Sequence, residues 1–243
     1  MHQTIDKMKQ LRLHQMAAIH HQRITKNLHQ YYSIDEYTAL LIDQEWEESL
    51  NRKMNRLLQA AKFKVAATVS QIDYKTNRNL NRDMVNKLAL LSFIKHKQNV
   101  LFTGPAGVGK SYLAQAIGYQ ACLQGIKTMY QNTARFLSVL KYAKRDGSYL
   151  KHLARLNKVS LLILDDFGLQ KLDNQEREIL MDLIEDRHDR SSTMIASQIP
   201  ISKWYDVIGE GTIADAILDR IVHSAHKINL SGESLRKRNK PKL

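Results

Sequence analysis

The segment from residue 104 to residue 111 constrains the fold of this chain more than any other, because it matches the pattern G-x-x-x-x-G-K-[ST] without a departure. Its residues are Gly104, Pro105, Ala106, Gly107, Val108, Gly109, Lys110 and Ser111. Glycines allow the backbone to turn tightly and to point its N–H groups at phosphate oxygens. The lysine of such a loop reaches the β- and γ-phosphates, and the hydroxyl joins the Mg²⁺ shell. The pattern therefore predicts a site for the phosphates of a nucleotide.

The residues on either side of this loop support the prediction. Residues 99–103 have the apolar character of a short strand, and residues 111–123 have the apolar spacing of a helix. A strand, a glycine loop and a helix in this order place an anion at the amino end of the helix, where the helix dipole favours negative charge. We include Tyr112, the residue after the loop, among the expected nucleotide contacts.

Strand and helix patterns alternate from residue 99 onward, which is typical of a parallel sheet covered by helices. The further strands are expected near residues 127–131, 160–164, 193–197 and 226–230, and the helices between them near residues 134–144, 174–189 and 213–222. Before residue 99 the apolar spacing is helical, with a capping box at Ser33 and Glu36 that opens the second helix and a further helix over residues 81–93 capped by Asn81. The sequence thus predicts an α/β fold with a five-stranded parallel sheet between helices, preceded by a small helical domain.

Two carboxylates follow the apolar run from Leu161 to Leu164. The carboxyl ends of parallel strands face the ligand crevice of a sheet, so Asp165 and Asp166 are expected beside the phosphate loop. Asp165 would hold Mg²⁺, and Asp166 would orient and polarise the attacking water. The alternative is a simple acidic turn after a core strand, but a bound cation would make the adjacent carboxylates favourable.

Two further polar residues end apolar segments. Gln198 follows the strand predicted at residues 193–197, where it would sense the γ-phosphate or position water; it would otherwise only end the strand. Arg220 lies at the edge of an apolar helix and has the character of an arginine finger, a residue that stabilises transition-state charge on the nucleotide of a neighbouring subunit. A surface ion pair with Asp219 is the alternative, and the spacing alone does not choose between the two.

The charge of the chain is uneven, with 37 lysines and arginines against 24 aspartates and glutamates and a formal net charge of +13. Residues 1–98 carry 16 basic and 9 acidic side chains, residues 99–222 carry 15 and 14, and residues 223–243 carry 6 and 1. The excess lies on both sides of the predicted core, as expected if both ends bind a polyanion such as nucleic acid. A basic surface without a partner is the alternative. The basic run at residues 51–56 fits a DNA backbone and a helix carboxyl end equally well.

Other features limit the class of protein. The hydrophobic fraction of 43% is ordinary for a soluble globular domain. The apolar runs are shorter than the roughly 20 residues that span a bilayer, and the first residues lack the apolar core of a signal peptide. The single cysteine, Cys122, excludes an internal disulfide and a cysteine-cluster zinc site. We therefore expect a cytoplasmic protein with no membrane partner.

These elements together resemble the IstB-like ATPases, a family in the DnaC-like branch of the AAA+ ATPases. The resemblance covers nearly the whole chain and is most specific in two blocks near its end, residues 216–223 and residues 232–236. It also includes residues 57–63, residues 72–74, residues 161–168, and Ser197-Gln198-Ile199-Pro200 followed by Trp204. Two positions depart from the family pattern: Asp166 replaces the commoner glutamate, and Leu235 replaces an aromatic residue.

The resemblance implies roles for named residues and for each part of the chain. ATP and Mg²⁺ would be bound by Lys110 and Ser111, Asp165 and Asp166 would be the metal and hydrolytic carboxylates, and Gln198 would be the sensor. Arg220 would be the finger across a subunit interface, and Arg236 would contact nucleotide or a neighbour. Residues 1–70 would bind DNA or a partner and support oligomerisation, residues 71–230 would form the ATPase, and residues 231–243 would be a basic tail without a helical lid domain.

The function implied by the resemblance is that of an ATP-dependent regulator of DNA transposition. ATP would promote assembly of a homo-oligomer on DNA, with duplex DNA favoured, and this assembly would recruit or activate a transposase. Hydrolysis, stimulated by DNA, would disassemble it. The alternative is a loader of a replicative helicase, which would share the ATPase core. A small-molecule kinase is disfavoured because no acceptor-binding segment is apparent.

Overall fold

A computed structural model of the chain describes residues 2–209 and 211–235. The chain divides into two compact units, Met1–Arg56 and Leu57–Leu243. The long helix that ends the first unit continues across this division. Each unit has its own internal packing.

The first unit is helical and contains α1 (His2–Gln10), α2 (His14–Thr25) and most of α3 (Ile34–Ala61). The amino end of α2 has no capping side chain of its own, and its backbone N–H groups at Gln15 and Met16 donate instead to the Glu45 carboxylate, at 2.8 and 3.0 Å. A carboxylate at this position satisfies two amides that the helix leaves unpaired and complements the helix dipole. The predicted capping box of α3 is confirmed, because Ser33 N–H donates to Glu36 and Glu36 N–H donates to the Ser33 hydroxyl.

The second unit contains the remaining elements, which alternate as the sequence predicts. They are α4 (Arg82–Ala89), α5 (Ser92–Lys95), β1 (Val100–Thr103), α6 (Lys110–Leu123), β2 (Thr128–Asn132), α7 (Thr133–Arg145), α8 (Tyr149–Leu156), β3 (Leu161–Phe167), α9 (Asn174–Arg187), β4 (Ser192–Ser197), α10 (Trp204–Ile208), α11 (Thr212–Val222) and β5 (His226–Asn229).

The five strands form one parallel sheet in the order β2-β3-β4-β1-β5, which confirms the predicted architecture. Alternate residues of each strand face opposite sides of the sheet. A separate hydrophobic core covers each face. In β3, for example, Leu161 and Ile163 lie in the core that contains α6, and Leu162 and Leu164 lie in the core that contains α7, α9 and α11. Burial on both faces explains why the inner strands β1, β3 and β4 are largely apolar, whereas the edge strands β2 and β5 carry more polar residues.

The strand order determines where the site forms. β1 lies at the point where the order reverses, between β4 and β5, so the loop after β1 opens into the crevice at the carboxyl edge of the sheet. The carboxyl end of β3 meets the same edge, two strands away. The sheet therefore brings together residues that lie far apart in the chain.

The structure differs from the sequence-based elements in several places. The helix expected at residues 81–93 is broken, because Leu91 adopts a left-handed conformation (φ 60°) between α4 and α5. The short helices α8 and α10 were not expected. β3 continues past Leu164 to Phe167, with a register irregularity against β4 that contains both predicted carboxylates.

A threonine directly before residues 134–144 predicts Thr133 as the capping residue of α7, and this prediction is wrong. Asn132, rather than Thr133, is the capping residue, and its side-chain oxygen accepts from the Arg135 N–H at 3.2 Å. No helix within residues 2–209 and 211–235 combines the length and apolar character needed to cross a membrane, including the 28-residue α3.

Candidate nucleotide site

The phosphate loop connects β1 directly to α6 at the carboxyl edge of the sheet. Gly104, Gly107 and Gly109 have φ values of 135°, 82° and 98°, which side chains other than glycine rarely adopt. Gly109 occupies the capping position of α6, so the unpaired amides of this helix begin within the loop. Such a helix start attracts anions.

Two distant segments hold the loop from outside. A Cβ atom at Gly104 would overlap the Leu230 carbonyl oxygen, and one at Gly107 would overlap the Ser234 side chain. The Leu235 N–H donates to the Gly107 carbonyl at 3.0 Å. Residues 230–235, which follow β5, therefore form a wall of the loop.

Arg78 closes the loop from the other direction. Its guanidinium is almost fully buried, with Nη1 donating to the Val108 carbonyl at 2.9 Å and Nη2 to the Asp73 carbonyl at 2.5 Å. Its own backbone carbonyl accepts from Ser231 N–H at 3.0 Å. Burial lowers the pKa of Arg78, while the nearby Asp73 charge acts in the opposite direction. Arg78 thus connects the segment before β1, the phosphate loop and the segment after β5.

Lys110 is folded back onto its own loop. The ammonium donates to the carbonyls of Gly104 and Pro105 at 2.7 and 2.6 Å, and the residue is only 6% exposed. A buried ammonium requires acceptors of this kind. Phosphate oxygens are stronger acceptors than backbone carbonyls, so this position suits a lysine that exchanges its partners when a nucleotide enters.

Asp165 is the centre of the hydrogen-bond network beside the loop. Its Oδ1 accepts from the Ser111 hydroxyl at 2.8 Å and from the Asp166 N–H at 2.9 Å. Its Oδ2 accepts from the Tyr130 hydroxyl, and its carbonyl accepts from the Thr133 hydroxyl at 2.8 Å. Burial, followed by the hydrogen bond to Asp165, raises the pKa of Tyr130 far above its usual range, so Tyr130 remains a donor.

Asp166 is held by the neighbouring strand. The Asn132 amide donates to its Oδ2 at 2.9 Å, and its backbone lies in the left-handed region with φ 56°. Aspartate tolerates this conformation better than most residues with a side chain, because its short polar group can bond locally. This backbone geometry gives a physical reason for aspartate at a position where the family pattern favours glutamate.

Nine of the residues predicted to form the site line one cleft of about 570 Å³. They are Ala106, Gly107, Gly109, Lys110, Ser111, Tyr112, Asp165, Asp166 and Gln198. Gly104 and Pro105 provide the carbonyls that hold Lys110, and the Val108 side chain is buried in the hydrophobic core. The volume is that of an ordinary small-molecule site.

The residues of this cleft fit a magnesium–nucleotide complex. The glycine positions leave no room for side chains, the loop amides and Lys110 suit phosphate, and the Ser111 hydroxyl beside the Asp165 carboxylate supplies the oxygen ligands that Mg²⁺ requires. Ser111 and Asp165 would hold the ion, and Lys110 would bind the phosphates.

Arg220 does not lie in this cleft. The carbonyl of Arg220 accepts from the Asn99 side chain at 3.2 Å, and Asn99 directly precedes β1, so Arg220 is at the amino edge of the sheet. The alternative ion pair with Asp219 is wrong, because Arg220 Nε lies 2.7 Å from the Glu185 carboxylate on α9. Arg236 lies outside the described residues.

Sequence reasoning did not identify three residues that support the site: Arg78, Tyr130 and Asn132. Tyr130 and Asn132 lie two residues apart on β2, and Asn132 pairs with Asp165 in the parallel register. The polar residues at the end of β2 indicate a position at the edge of the sheet. They indicate a place in the site only if β2 is known to be the neighbour of β3. Arg78 gave no local signal, because its loop partner is 30 residues away in the chain.

Comparisons with known proteins agree with this geometry. The family model described as IstB-like ATP binding protein matches residues 6–243. The chain is 41% identical over 241 residues to the Sinorhizobium fredii protein y4pL, named as an insertion sequence ATP-binding protein, and the match covers 99% of this chain and 98% of that protein. It is 30% identical over 207 residues to the insertion sequence IS21 ATP-binding protein of Pseudomonas aeruginosa, covering 85% of this chain and 78% of that protein.

The fold is also found among solved structures. The crystal structure of the DnaC helicase loader superposes with a TM-score of 0.60 at 20% identity, and the match covers 70% of this chain and 99% of that one. At this identity the likeness shows a shared fold alone. The family model matches nearly the whole chain, and the two sequence relatives are at least 30% identical to it. The chain therefore belongs to the IstB-like ATP-binding proteins.

Proposed function

We propose that this protein is a magnesium-dependent ATPase that assembles on DNA in its ATP-bound state and recruits or activates a transposase. The observation that carries the proposal is the convergence of the phosphate loop, the Ser111–Asp165 pair and Asp166 in one cleft. The names of the relatives, which are insertion sequence ATP-binding proteins, support a role in transposition.

Several residues of the cleft have defined tasks in hydrolysis. Lys110 exchanges the Gly104 and Pro105 carbonyls for phosphate oxygens. Asp166 accepts a hydrogen bond from the attacking water. The water oxygen bonds to the γ-phosphorus as the bond from that phosphorus to the β-phosphate oxygen breaks, which gives ADP, phosphate and a proton released to solvent. Mg²⁺ supplies charge neutralisation of the phosphates when bound. Gln198, which lines the cleft, senses the γ-phosphate or positions this water.

The distribution of charge supports DNA as the partner and locates the basic surface more narrowly. Residues 1–56 carry 8 basic and 7 acidic side chains, whereas residues 57–98 carry 8 and 2. Within the ATPase core, residues 141–158 carry 6 basic and 1 acidic side chains. Lys151, Arg155 and Lys158 are exposed there, on α8 and just beyond it. Lysine and arginine clusters of this kind neutralise backbone phosphates without reading sequence.

In this proposal residues 1–70 bind the partner and support oligomerisation, residues 71–230 form the ATPase, and residues 231–243 add a basic tail. The near-neutral charge of residues 1–56 favours protein contacts for the helical unit. DNA then meets mainly the basic side chains from residue 57 onward. Duplex DNA is the favoured substrate, and the protein acts in the cytoplasm.

Arg220 supplies its charge to the nucleotide of a neighbouring copy. The phosphate loop lies at the carboxyl edge of the sheet and Arg220 at the amino edge, so the residue cannot serve the cleft of its own chain. The amino edge of the sheet in one copy would face the carboxyl edge in the next copy. Contact between two different surfaces of this kind gives a head-to-tail assembly. Glu185 and the Ala216 carbonyl hold the Arg220 side chain until this contact forms.

The test is phosphate release and assembly in the presence and absence of DNA. The wild-type protein should release phosphate faster with DNA, and ATP with DNA should produce large oligomers by light scattering. Asp166→Asn should bind ATP and assemble but release phosphate at least about 100-fold more slowly, because water is no longer activated. Arg220→Ala should bind ATP in the monomer with unchanged affinity and lose hydrolysis.

The outcomes separate the parts of the proposal. Monomers in ATP and DNA together would contradict the assembly, and unchanged turnover in Arg220→Ala would contradict the finger. Binding to a replicative helicase but not to a transposase, in a direct pull-down with purified proteins, would favour a helicase loader instead.

A further inference from the structure

Tyr130 is the central residue of β2 and is 3% exposed, although its side chain ends in a hydroxyl. A buried hydroxyl needs a partner, and that partner is Oδ2 of Asp165. The ring lies against Phe63, with 6.4 Å between the ring centroids, and the Lys64 ammonium lies 5.6 Å from the ring centroid. The contacts with Phe63 and Lys64 therefore hold the aromatic ring in place, and the hydroxyl points at one oxygen of the Asp165 carboxylate.

The Asp165 carboxylate has a donor on each oxygen. Ser111 and the Asp166 N–H occupy Oδ1, and Tyr130 occupies Oδ2. The carboxylate is 3% exposed, so water cannot replace a missing donor at little cost. Because Tyr130 alone among these donors bonds to Oδ2, its hydroxyl fixes the rotation of the carboxylate and keeps Oδ1 on the Ser111 side.

We propose that Tyr130 is the positioning residue for Asp165, and that its hydroxyl sets the affinity of the site for magnesium-bound nucleotide. This inference rests on the proposed magnesium-dependent ATPase function. Groups that orient a metal-binding carboxylate typically change metal affinity or activity by about 10- to 100-fold when they are removed. Tyr130 does so without contacting the nucleotide phosphates through its hydroxyl, which is committed to Asp165.

A purely structural role makes a different prediction. If the hydroxyl only satisfies a buried hydrogen bond, its removal would lower stability and leave the magnesium dependence of nucleotide binding unchanged. The chain offers a matched control in Tyr149, whose hydroxyl donates to Oδ2 of Asp182 at 2.8 Å on a different face of the same unit. Burial also raises the pKa of Tyr149, so both tyrosines are protonated donors to an aspartate. Tyr149 does not line the cleft.

The experiment measures the affinity for a non-hydrolysable ATP analogue with Mg²⁺ and with EDTA, in the full-length protein. The ratio of the two dissociation constants is the magnesium-dependent increment. Tyr130→Phe should reduce this increment about tenfold and leave the affinity in EDTA within about twofold of wild type. Tyr149→Phe should match the wild-type increment. Thermal unfolding of both variants reports any loss of stability independently.

A double-mutant cycle tests whether Tyr130 acts through Asp165. In an Asp165→Asn background, Tyr130→Phe should cause no further loss of the increment, because the carboxylate that the hydroxyl positions is gone. A full additional loss would overturn the assignment. This cycle remains informative even if Tyr130→Phe lowers stability.

Two further results would overturn the proposal in distinguishable ways. A magnesium-dependent increment in Tyr130→Phe equal to that of wild type would exclude the positioning role. A loss of affinity that is as large in EDTA as in Mg²⁺ would exclude it too, and both results leave the ATPase proposal intact. A wild-type protein whose affinity for the analogue does not depend on Mg²⁺ would overturn the magnesium site and the role of Tyr130 together.

Discussion

The single residue Asn132 has two roles, one in capping a helix and one in holding a carboxylate of the cleft. Its side-chain oxygen caps α7 by accepting from Arg135 N–H, and its side-chain nitrogen holds Asp166. The two ends of one amide therefore connect the start of a helix to the proposed hydrolytic carboxylate. Replacements that keep one end and remove the other can separate these tasks.

We expect Asn132→Asp and Asn132→Ala to reduce phosphate release about tenfold or more, because either change frees Asp166 from its donor. Nucleotide affinity should change little, since neither atom contacts the phosphate loop. Asn132→Ala should lose about 1 kcal/mol of unfolding free energy with the helix cap, whereas Asn132→Asp keeps the cap and should lose stability only through repulsion between its carboxylate and that of Asp166. Turnover assays and urea unfolding provide the two measurements.

Asn157→Ala is the matched control, because Asn157 also donates to an aspartate, Asp186, at 3.3 Å on the exposed surface. Its turnover should equal that of wild type. Unchanged turnover in Asn132→Asp would show that the contact with Asp166 has no part in hydrolysis.

The sequence identified the candidate residues that follow local patterns and missed those that depend on tertiary neighbours. Lys110, Ser111, Asp165 and Asp166 follow from spacing and from the position of strand ends, and the structure brings them into one cleft. The contact between Asn132 and Asp166 requires the strand order, which spacing does not contain. The same holds for the Glu185 partner of Arg220, since α9 and α11 become neighbours only in the folded unit.

Helix α9, in the second unit Leu57–Leu243, begins with a complete capping box. The Asp173 carboxylate accepts from Glu176 N–H at 2.9 Å, and the Glu176 carboxylate accepts from Asp173 N–H at 3.1 Å. Lys141 on α7 also pairs with Asp173. The Lys141 hydrogen bond, followed by the helix amide, lowers the pKa of Asp173 below its usual range.

We expect Asp173→Ala to lose about 1 kcal/mol of unfolding free energy at neutral pH. The pKa of Asp173 is lower in the folded state than in the unfolded state, so its stabilisation is present above the unfolded value and is lost as the pH falls through the folded value. The difference between wild type and Asp173→Ala should therefore shrink between about pH 5 and pH 3. Urea unfolding across that range measures it.

Asp173→Asn provides the control for this effect. Asparagine keeps a capping oxygen and has no charge to titrate, so its stability relative to Asp173→Ala should not vary with pH through this group. A difference between wild type and Asp173→Ala that stays constant down to pH 3 would contradict the assigned role of the carboxylate.

Elements with strong periodicity were predicted well, and short ones were not. The five strands and the helices α6, α7, α9 and α11 lie within a few residues of their expected bounds. Helix α8 has only eight residues and buries only Leu156 fully, so its apolar pattern was too short to recognise. The break at Leu91 has no local signal, because nothing in the residue type favours a left-handed backbone there.

At the scale of the whole molecule, the division of the chain changes the interpretation of its charge. The sequence indicates a basic amino-terminal region, but the excess begins only after the helical unit Met1–Arg56. A sum over residues 1–98 joins a near-neutral unit to a strongly basic segment of the next one. The boundary within α3 could not be located from the sequence, because the helix continues through it.

We expect the triple variant Lys151→Gln, Arg155→Gln and Lys158→Gln to bind DNA more weakly than wild type. Each phosphate contact that is lost should reduce the slope of log affinity against log salt by about 0.9, so the slope should fall by about 2 to 3. The measurement is a DNA titration by fluorescence anisotropy at several salt concentrations, with ATP present.

A second triple variant, Lys7→Gln, Lys9→Gln and Arg12→Gln, removes the same charge from the exposed surface of the helical unit. Its salt dependence should equal that of wild type. Equal losses in the two variants would contradict a DNA surface on the second unit and would favour a general effect of net charge.

The phosphate loop is held partly by residues that follow it by more than 120 positions in the chain, which matters while the protein is being translated. The loop emerges from the ribosome well before Ser234 and Leu235, whose contacts with Gly107 complete it. A nascent chain that stops short of these residues has the binding motif but lacks one wall of the cleft. We therefore expect ATP to stabilise the second unit most in chains that contain Ser234 and Leu235, so the ligand would favour these chains over shorter ones.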